Sequence, residues 1–151
     1  MLRTAVVRRE ERALSECFGG DNRCRKKNLS TFDETHAINF VPHDPSNPAD
    51  IKGREGIKQR YAEIVSAFPD LHYTIEDLVA EGDRVVVRWT ASLTHTGEFE
   101  GVPPTGNRAV VPGVYFDRRK GGRMGEEWAI GDTLGLLQQL GIIPSPKETG
   151  Q

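Results

Sequence analysis

The chain has 151 residues, the size of one domain, and its content of 36% hydrophobic and 28% charged residues excludes a wholly disordered protein. Its formal charge of -2, from 20 Lys and Arg against 22 Asp and Glu, provides no excess of positive charge for a phosphate backbone, so nucleic acid is not expected as a partner. No apolar run reaches the roughly 20 residues of a membrane span, and the N-terminus lacks a signal-peptide core, so we expect a cytoplasmic protein without membrane contact.

The N-terminal segment favours one helix and one loop. Good helix formers and loosely helical apolar spacing predict a helix over 3–18, which two glycines end. Residues 19–28 are polar and basic without periodicity, and we expect a solvated loop there. Cys17 and Cys24 are expected to be free thiols in a cytoplasmic protein, because they have neither a CxxC spacing nor a metal-site pattern.

A second, weaker helix pattern covers 29–37. A short strand over 38–43 then enters a segment at 44–48 that is dense in turn residues. In 54–68 the apolar side chains recur at i, i+4, i+7, i+8 and i+11, which predicts an amphipathic helix. Pro69 is expected to end that helix.

Beyond that helix the period of the apolar residues changes from 3.6 to 2, which predicts strands. Two strands, which begin near Leu71 and Val85, form a hairpin that turns at Glu81-Gly82-Asp83, and two more are expected at about 108–117 and 123–132. Leucines at helical spacing predict a last helix over 133–140.

Helices followed by hairpin-connected strands predict an α+β fold, a curved antiparallel β-sheet with helices packed on its concave face. We expect one domain over 1–143 and a flexible C-terminal tail over 144–151.

Two segments carry motifs that identify a family. Residues 67–106 read AFPDLHYTIEDLVAEGDRVVVRWTASLTHTGEFEGVPPTG, and residues 126–141 read EEWAIGDTLGLLQQLG. The chain resembles the SnoaL-like polyketide cyclase or ester cyclase family over roughly 53–143. The N-terminal third matches only at the VPHDP of 41–45, and the basic loop 19–28 departs from the family pattern. The resemblance implies the cone fold of nuclear transport factor two and ketosteroid isomerases, which encloses a small apolar or aromatic molecule.

Asp132 is the main catalytic candidate. Strict alternation places it on the strand face of Trp128 and Ile130, and if that face points inward, desolvation raises the pKa of the carboxyl. In the family the aspartate at this position is held to be the acid/base, so the resemblance implies that Asp132 serves an intramolecular aldol-type cyclisation of a polyketide-like ester. That reaction requires no metal and no organic cofactor. The alternative is that Asp132 only caps the last helix.

Other polar and aromatic side chains are candidates for substrate binding. His95 continues the apolar alternation of its strand, where it either polarises a substrate oxygen or is a hydrogen-bonded histidine at the rim of the cone. His43 and Asn39, before the Pro-rich loop, are candidates of similar standing. The aromatic residues are core residues or pocket walls: Trp89, Trp128, Tyr61, Tyr73, Tyr115, Phe99 and Phe116.

The same cone allows functions other than cyclisation. One alternative is a domain that binds a small apolar ligand without changing it. Another is an isomerase or epoxide hydrolase, which needs further polar partners such as a second carboxylate or a tyrosine donor, and the sequence does not place such a set. By analogy with the family, whose open sheets pair through their exposed faces, we expect a homodimer.

Overall fold

The computed structural model describes residues 29–47 and 50–146. The predictions for the first helix, for the basic loop and for both cysteines concern residues outside these ranges, as does most of the predicted tail. Within the described ranges, no helix has the length and apolar composition that crossing a membrane requires.

The described residues form three helices and five strands. Pro69 ends the long helix as expected, because proline disfavours helical backbone in the residue before it. Most element ends lie within a few residues of the predicted ones; His36 and Ala37, expected in a helix, belong to the first strand instead. In chain order the elements are α1 (Thr31–Thr35), β1 (His36–His43), α2 (Gly53–Ala67), β2 (His72–Glu81), β3 (Arg84–Thr94), β4 (Arg108–Lys120), β5 (Arg123–Gly131) and α3 (Thr133–Gln139).

The strands form one mixed sheet in the order β1-β5-β4-β3-β2. β2 to β5 pair antiparallel in succession, which confirms the α+β class and the two hairpins. The edge strand β1 is an exception to this antiparallel pairing, because it pairs parallel to β5. Parallel neighbours need a long crossover connection, and here the chain supplies it by passing through α2 and three strands before it returns.

One face of the sheet, here called the inner face, carries the core. Ala67 at the end of α2 and Leu140 after α3 are buried against it, with Ile64 and Leu136 packed beside them. The helices therefore cover this face, as expected. Its side chains on β3 alternate along the strand and are Val85, Val87, Trp89, Ala91 and Leu93.

A β-bulge changes the alternation of β5. Arg118 pairs with Glu126 but the next residue, Arg119, pairs with Met124, so Gly125 is an extra residue without a partner opposite it. A bulge of this kind shifts every later side chain of the strand to the other face.

The shift reverses two predicted orientations. Trp128 pairs with Phe116 on the outer face, opposite to the core, and Ile130 is 65% exposed. The prediction that Trp128 and Ile130 face inward is therefore wrong, because strict alternation does not account for the bulge. Glu127 and Ala129 take the inner positions instead.

The ring of Trp89 reaches from β3 across the sheet. It lies over Gly113 of β4, where a Cβ would overlap its benzene ring, and a Cβ at Gly131 of β5 would come within 3.3 Å of it. The two glycines therefore create the space that this side chain fills.

We predict that Gly113→Ala lowers the free energy of unfolding by about 1–3 kcal/mol, because the added methyl group must displace the Trp89 ring. Urea denaturation of the single variant, and of the same change in a Trp89→Leu background, measures the effect. Without the Trp89 ring the added methyl group has room. Gly113→Ala should therefore cost less stability in the Trp89→Leu background than in the wild type. An equal cost of Gly113→Ala in both backgrounds contradicts this explanation.

Candidate functional site

Three successive rows of cross-strand neighbours on the inner face carry the polar groups of the interior. The first row holds two carboxyl groups, the second a tyrosine, and the third the Trp89 ring with its two glycines. Across β3, β4 and β5 the rows are Val85–Asp117–Glu127, Val87–Tyr115–Ala129 and Trp89–Gly113–Gly131.

Asp117 and Glu127 form a buried carboxyl pair. Asp117 is 2% and Glu127 9% exposed, and a side-chain hydrogen bond joins them. Burial raises the pKa of Glu127 well above its usual range, and the neighbouring Asp117 and Asp44 raise it further. The interior therefore disfavours the charged form of Glu127.

Two tyrosines and a tryptophan lie next to this pair. The Tyr115 hydroxyl donates to the Tyr73 hydroxyl over 3.3 Å, and burial raises the pKa of both phenols. The ring of Trp89 contacts both, with centroid distances of 5.2 Å to Tyr73 and 5.1 Å to Tyr115. Trp89 is 8% exposed, and its indole N–H has no acceptor among the described residues.

Asp132 lies at the end of β5, directly after Gly131 of the third row. Its Oδ1 accepts a hydrogen bond of 2.8 Å from the backbone N–H of Gly135, which confirms that it caps α3. The expectation of a buried, inward carboxyl is wrong, since the residue is exposed. Hydrogen bonds within the described ranges engage only one of its two carboxylate oxygens.

His95 is fully buried, at the far end of β3 from the carboxyl pair. Its Nδ1 accepts from the backbone N–H of Thr105 at 3.3 Å and lies 3.1 Å from the hydroxyl of that residue. His95 is therefore hydrogen-bonded within the protein, and its part in substrate binding stays a prediction. Because Nδ1 accepts, the ring proton is on Nε2, which packs near Phe68 and has no hydrogen-bond partner in the described part of the chain.

The remaining predicted site residues are not gathered on the inner face. His43 stacks on Trp128 on the outer face, with ring centroids 4.8 Å apart, and its Nε2 lies 2.8 Å from Glu126 Oε1. Asn39 is exposed and lines a hollow on the same side of the sheet as Glu126. Tyr61 of α2 contacts the ring of Phe32. Of the predicted residues, Trp89, His95, Tyr73 and Tyr115 belong to the inner face.

The carboxyl pair was not among the sequence candidates. Asp117 lies two residues after Tyr115, so it faces the interior like the other alternate residues of β4. A charged residue at an inward-facing position could have been recognised from the sequence as a candidate. Glu127 had no such signal, because the Gly125 bulge places it on the face opposite to the one that strict alternation predicts. The second carboxylate and the tyrosine donor that an isomerase needs are thus both present in the interior.

Comparison with known proteins identifies the family. The sequence model described as SnoaL-like polyketide cyclase matches residues 11–140. This match spans most of the chain, and the chain belongs to the SnoaL-like polyketide cyclase family. No protein of curated function matches it by sequence.

Solved structures of related proteins share the fold. A proposed SnoaL-like polyketide cyclase from Jannaschia sp. CCS1 has a TM-score of 0.78 at 26% identity, covering 92% of this chain and 96% of that one. IdmH, a proposed polyketide cyclase from Streptomyces antibioticus, gives 0.73 at 33% identity, with coverages of 89% and 97%. AclR, a proposed hydroxylase from Streptomyces galilaeus, gives 0.74 at 30% identity, with coverages of 93% and 87%.

The carboxyl pair predicts a specific dependence of stability on pH. Unfolded Glu127 ionises near its ordinary value of 4.5, whereas the folded protein keeps the proton to higher pH. Above about pH 4.5 the folded state therefore binds more protons, and Glu127 lowers the free energy of unfolding as pH rises until its folded-state pKa is passed. The variant Glu127→Gln removes this term, so it gains stability over the wild type by up to about 1.4 kcal/mol per pH unit.

Urea denaturation of both proteins between pH 4 and 8 measures the difference. The subtraction cancels the opposite contribution of His36, whose pKa burial lowers from 6.5 to about 4. The matched control is Glu126→Gln, on the outer side of the same strand. If the two variants show the same dependence on pH relative to the wild type, Glu127 does not hold a proton at neutral pH.

Proposed function

We propose that the chain catalyses a cofactor-independent intramolecular aldol-type cyclisation of a polyketide-like ester, with Asp132 as the acid/base. The main support is membership of the SnoaL-like polyketide cyclase family over residues 11–140, which includes this aspartate. A second support is the position of the carboxylate, which follows Gly131 at the end of the inner face and has one oxygen fixed by Gly135. The other oxygen is available to a ligand at this edge.

The proposed reaction needs only one carboxyl group. Asp132 removes the acidic proton from a carbon flanked by carbonyl groups, and the electron pair moves to oxygen to give an enolate. The enolate carbon attacks a second carbonyl of the same molecule, which forms the ring bond and an alkoxide. Asp132 returns its proton to that alkoxide, so atoms and charge balance and the aspartate is regenerated.

We expect Asp132→Asn to lower kcat by about 100-fold or more, because asparagine cannot accept the proton. The amide oxygen still caps α3 about as well as the carboxylate, so the fold is retained. The assay follows ring closure of a 1,3-dicarbonyl aryl methyl ester by chromatography.

Asp132→Ala separates the two roles of the residue. It removes the cap as well as the proton acceptor, and it should cost about 1 kcal/mol of stability beyond the loss of turnover. Cyclisation at the unaltered rate by Asp132→Asn contradicts the assignment. If the wild-type protein binds the ester and leaves it unchanged, the binding-domain alternative replaces the enzyme.

We also propose that two copies of the chain pair through the outer face of the sheet. Exposed contiguous apolar surface on a soluble protein marks an interaction site. In a two-fold dimer the same surface of each copy forms the interface. Apolar side chains of one copy therefore contact apolar side chains of the other. Phe116 and Trp128 form an edge-on ring pair in this region, and the exposed apolar side chains of the face include Val79, Val110, Val114 and Ile130.

Ile130→Lys places a charge on this face next to Val114 and should convert the dimer to monomer in sedimentation equilibrium. Gln59→Lys, on the exposed side of α2, adds the same charge elsewhere and should leave the dimer intact. A wild-type monomer at high protein concentration contradicts the proposal, as does an Ile130→Lys protein that still forms dimers.

A further inference from the structure

The indole N–H of Trp89 is a donor that the described fold does not use. The residue is 8% exposed, and this group has no hydrogen-bond acceptor among the residues that the structure describes. Nearly all buried donors in folded proteins have a partner, because an unpaired one retains the full cost of leaving water. The ring packs over two glycines, whereas its N–H makes no hydrogen bond within that part of the chain.

The inner face beside Trp89 carries little side-chain volume. Tyr115 and Ala129, opposite each other in the neighbouring row, are only partly buried, although the inner positions of β3 are all buried. In the row of Trp89 itself, β4 and β5 contribute the glycines Gly113 and Gly131. Side chains of the described sheet therefore leave part of this face open beside the indole.

Trp89 also lies next to the proposed acid/base. A Cβ at Gly131 would come within 3.3 Å of the Trp89 ring, and Asp132 follows Gly131 directly. The backbone N–H of Asp132 donates to the carbonyl of Pro112, the residue before Gly113, over which the ring lies. The aspartate is thus one residue, a step of roughly 3 Å, from a position that the indole contacts.

The chemistry of these groups limits the ligand. An indole N–H only donates, so it pairs with an acceptor such as a carbonyl or enolate oxygen. The rings of Tyr73 and Tyr115 contact the ring of Trp89, and aromatic walls suit a planar ring system. The complementary ligand is therefore an aromatic ketone or ester.

We propose that Trp89 binds the carbonyl oxygen of an aromatic ketone or ester through its indole N–H, beside Asp132. In the cyclisation, on whose assignment this part rests, the same N–H holds the oxygen on which the negative charge of the enolate develops. The hydrogen bond strengthens as that charge grows, so it stabilises the enolate more than the ketone. The indole keeps its proton, and Asp132 carries out the proton transfer.

The binding test observes the N–H itself and requires no turnover. The chain contains two tryptophans, so protein labelled with nitrogen-15 gives two indole N–H signals in a proton–nitrogen NMR spectrum, and Trp128→Phe assigns them. The probes are 2-acetylnaphthalene and 2-isopropenylnaphthalene, which has a CH2 group in place of the carbonyl oxygen. We expect the ketone alone to move the Trp89 signal to lower field, and to bind about tenfold more tightly than the alkene. The Trp128 signal, from the outer face, is the internal control and should not move.

Trp89→Phe retains an aromatic ring and removes the donor. It should bind the two probes equally, and in the cyclisation assay it should lower kcat by about 100-fold with a smaller change in KM. A merely structural role of Trp89 would weaken both probes alike and leave the preference for the ketone. The matched control is Trp128→Phe, the same change on the outer face, which should keep that preference. If Trp89→Phe does not fold, the wild-type spectra with the two probes decide.

Two results overturn the assignment: a Trp89 signal that the ketone does not move, or a preference for the ketone that Trp89→Phe retains. The first of these, with the signal at unusually high field, would indicate that the N–H points at the face of its edge-on neighbour Tyr73.

Turnover separates this inference from the proposed cyclisation. A protein whose Trp89 signal responds to the ketone but which does not cyclise the ester retains the donor and loses the cyclase. An active cyclase in which Trp89→Phe has the wild-type kcat loses the part of Trp89 in the reaction alone.

Discussion

The extra residue at Gly125 determines which side chains of β5 enter the interior. Without the bulge, strict pairing would bury the Trp128 ring and send Glu127 to the surface. With it, Glu127 lies opposite Asp117, and the indole of Trp128 stacks on His43 outside. The acidic interior and the aromatic exterior of this region therefore have one common cause, a local irregularity of backbone pairing.

The inner face combines two environments that favour different chemistry. At one end, burial beside Asp117 raises the pKa of Glu127 well above its usual range. At the other end, Asp132 is in contact with solvent and fixed by a backbone N–H. The two ends of the inner face therefore differ in how well their carboxyl groups are solvated.

Periodicity predicted the elements well and the orientation of side chains less well. The switch from a period of 3.6 to one of 2 located α2 and the four antiparallel strands, because those patterns are local and extend over many residues. The strand β1 was predicted, but its parallel pairing with β5 could not be derived, since nothing within β1 encodes a partner some 80 residues away. The motifs of the family resemblance supplied Asp132, while Glu127 depended on a register shift that sequence alone does not reveal.

The two tryptophans lie in different environments, so their fluorescence can be told apart. Trp128 is half-buried on the outer face beside His43 and Glu126, whereas Trp89 is in contact with two tyrosines in the interior. An ionic quencher in solution reaches the first indole and is kept from the second by the packed aromatic rings. The tryptophan fluorescence that remains after such quenching comes from Trp89. It therefore reports changes at the inner face without a chemical label.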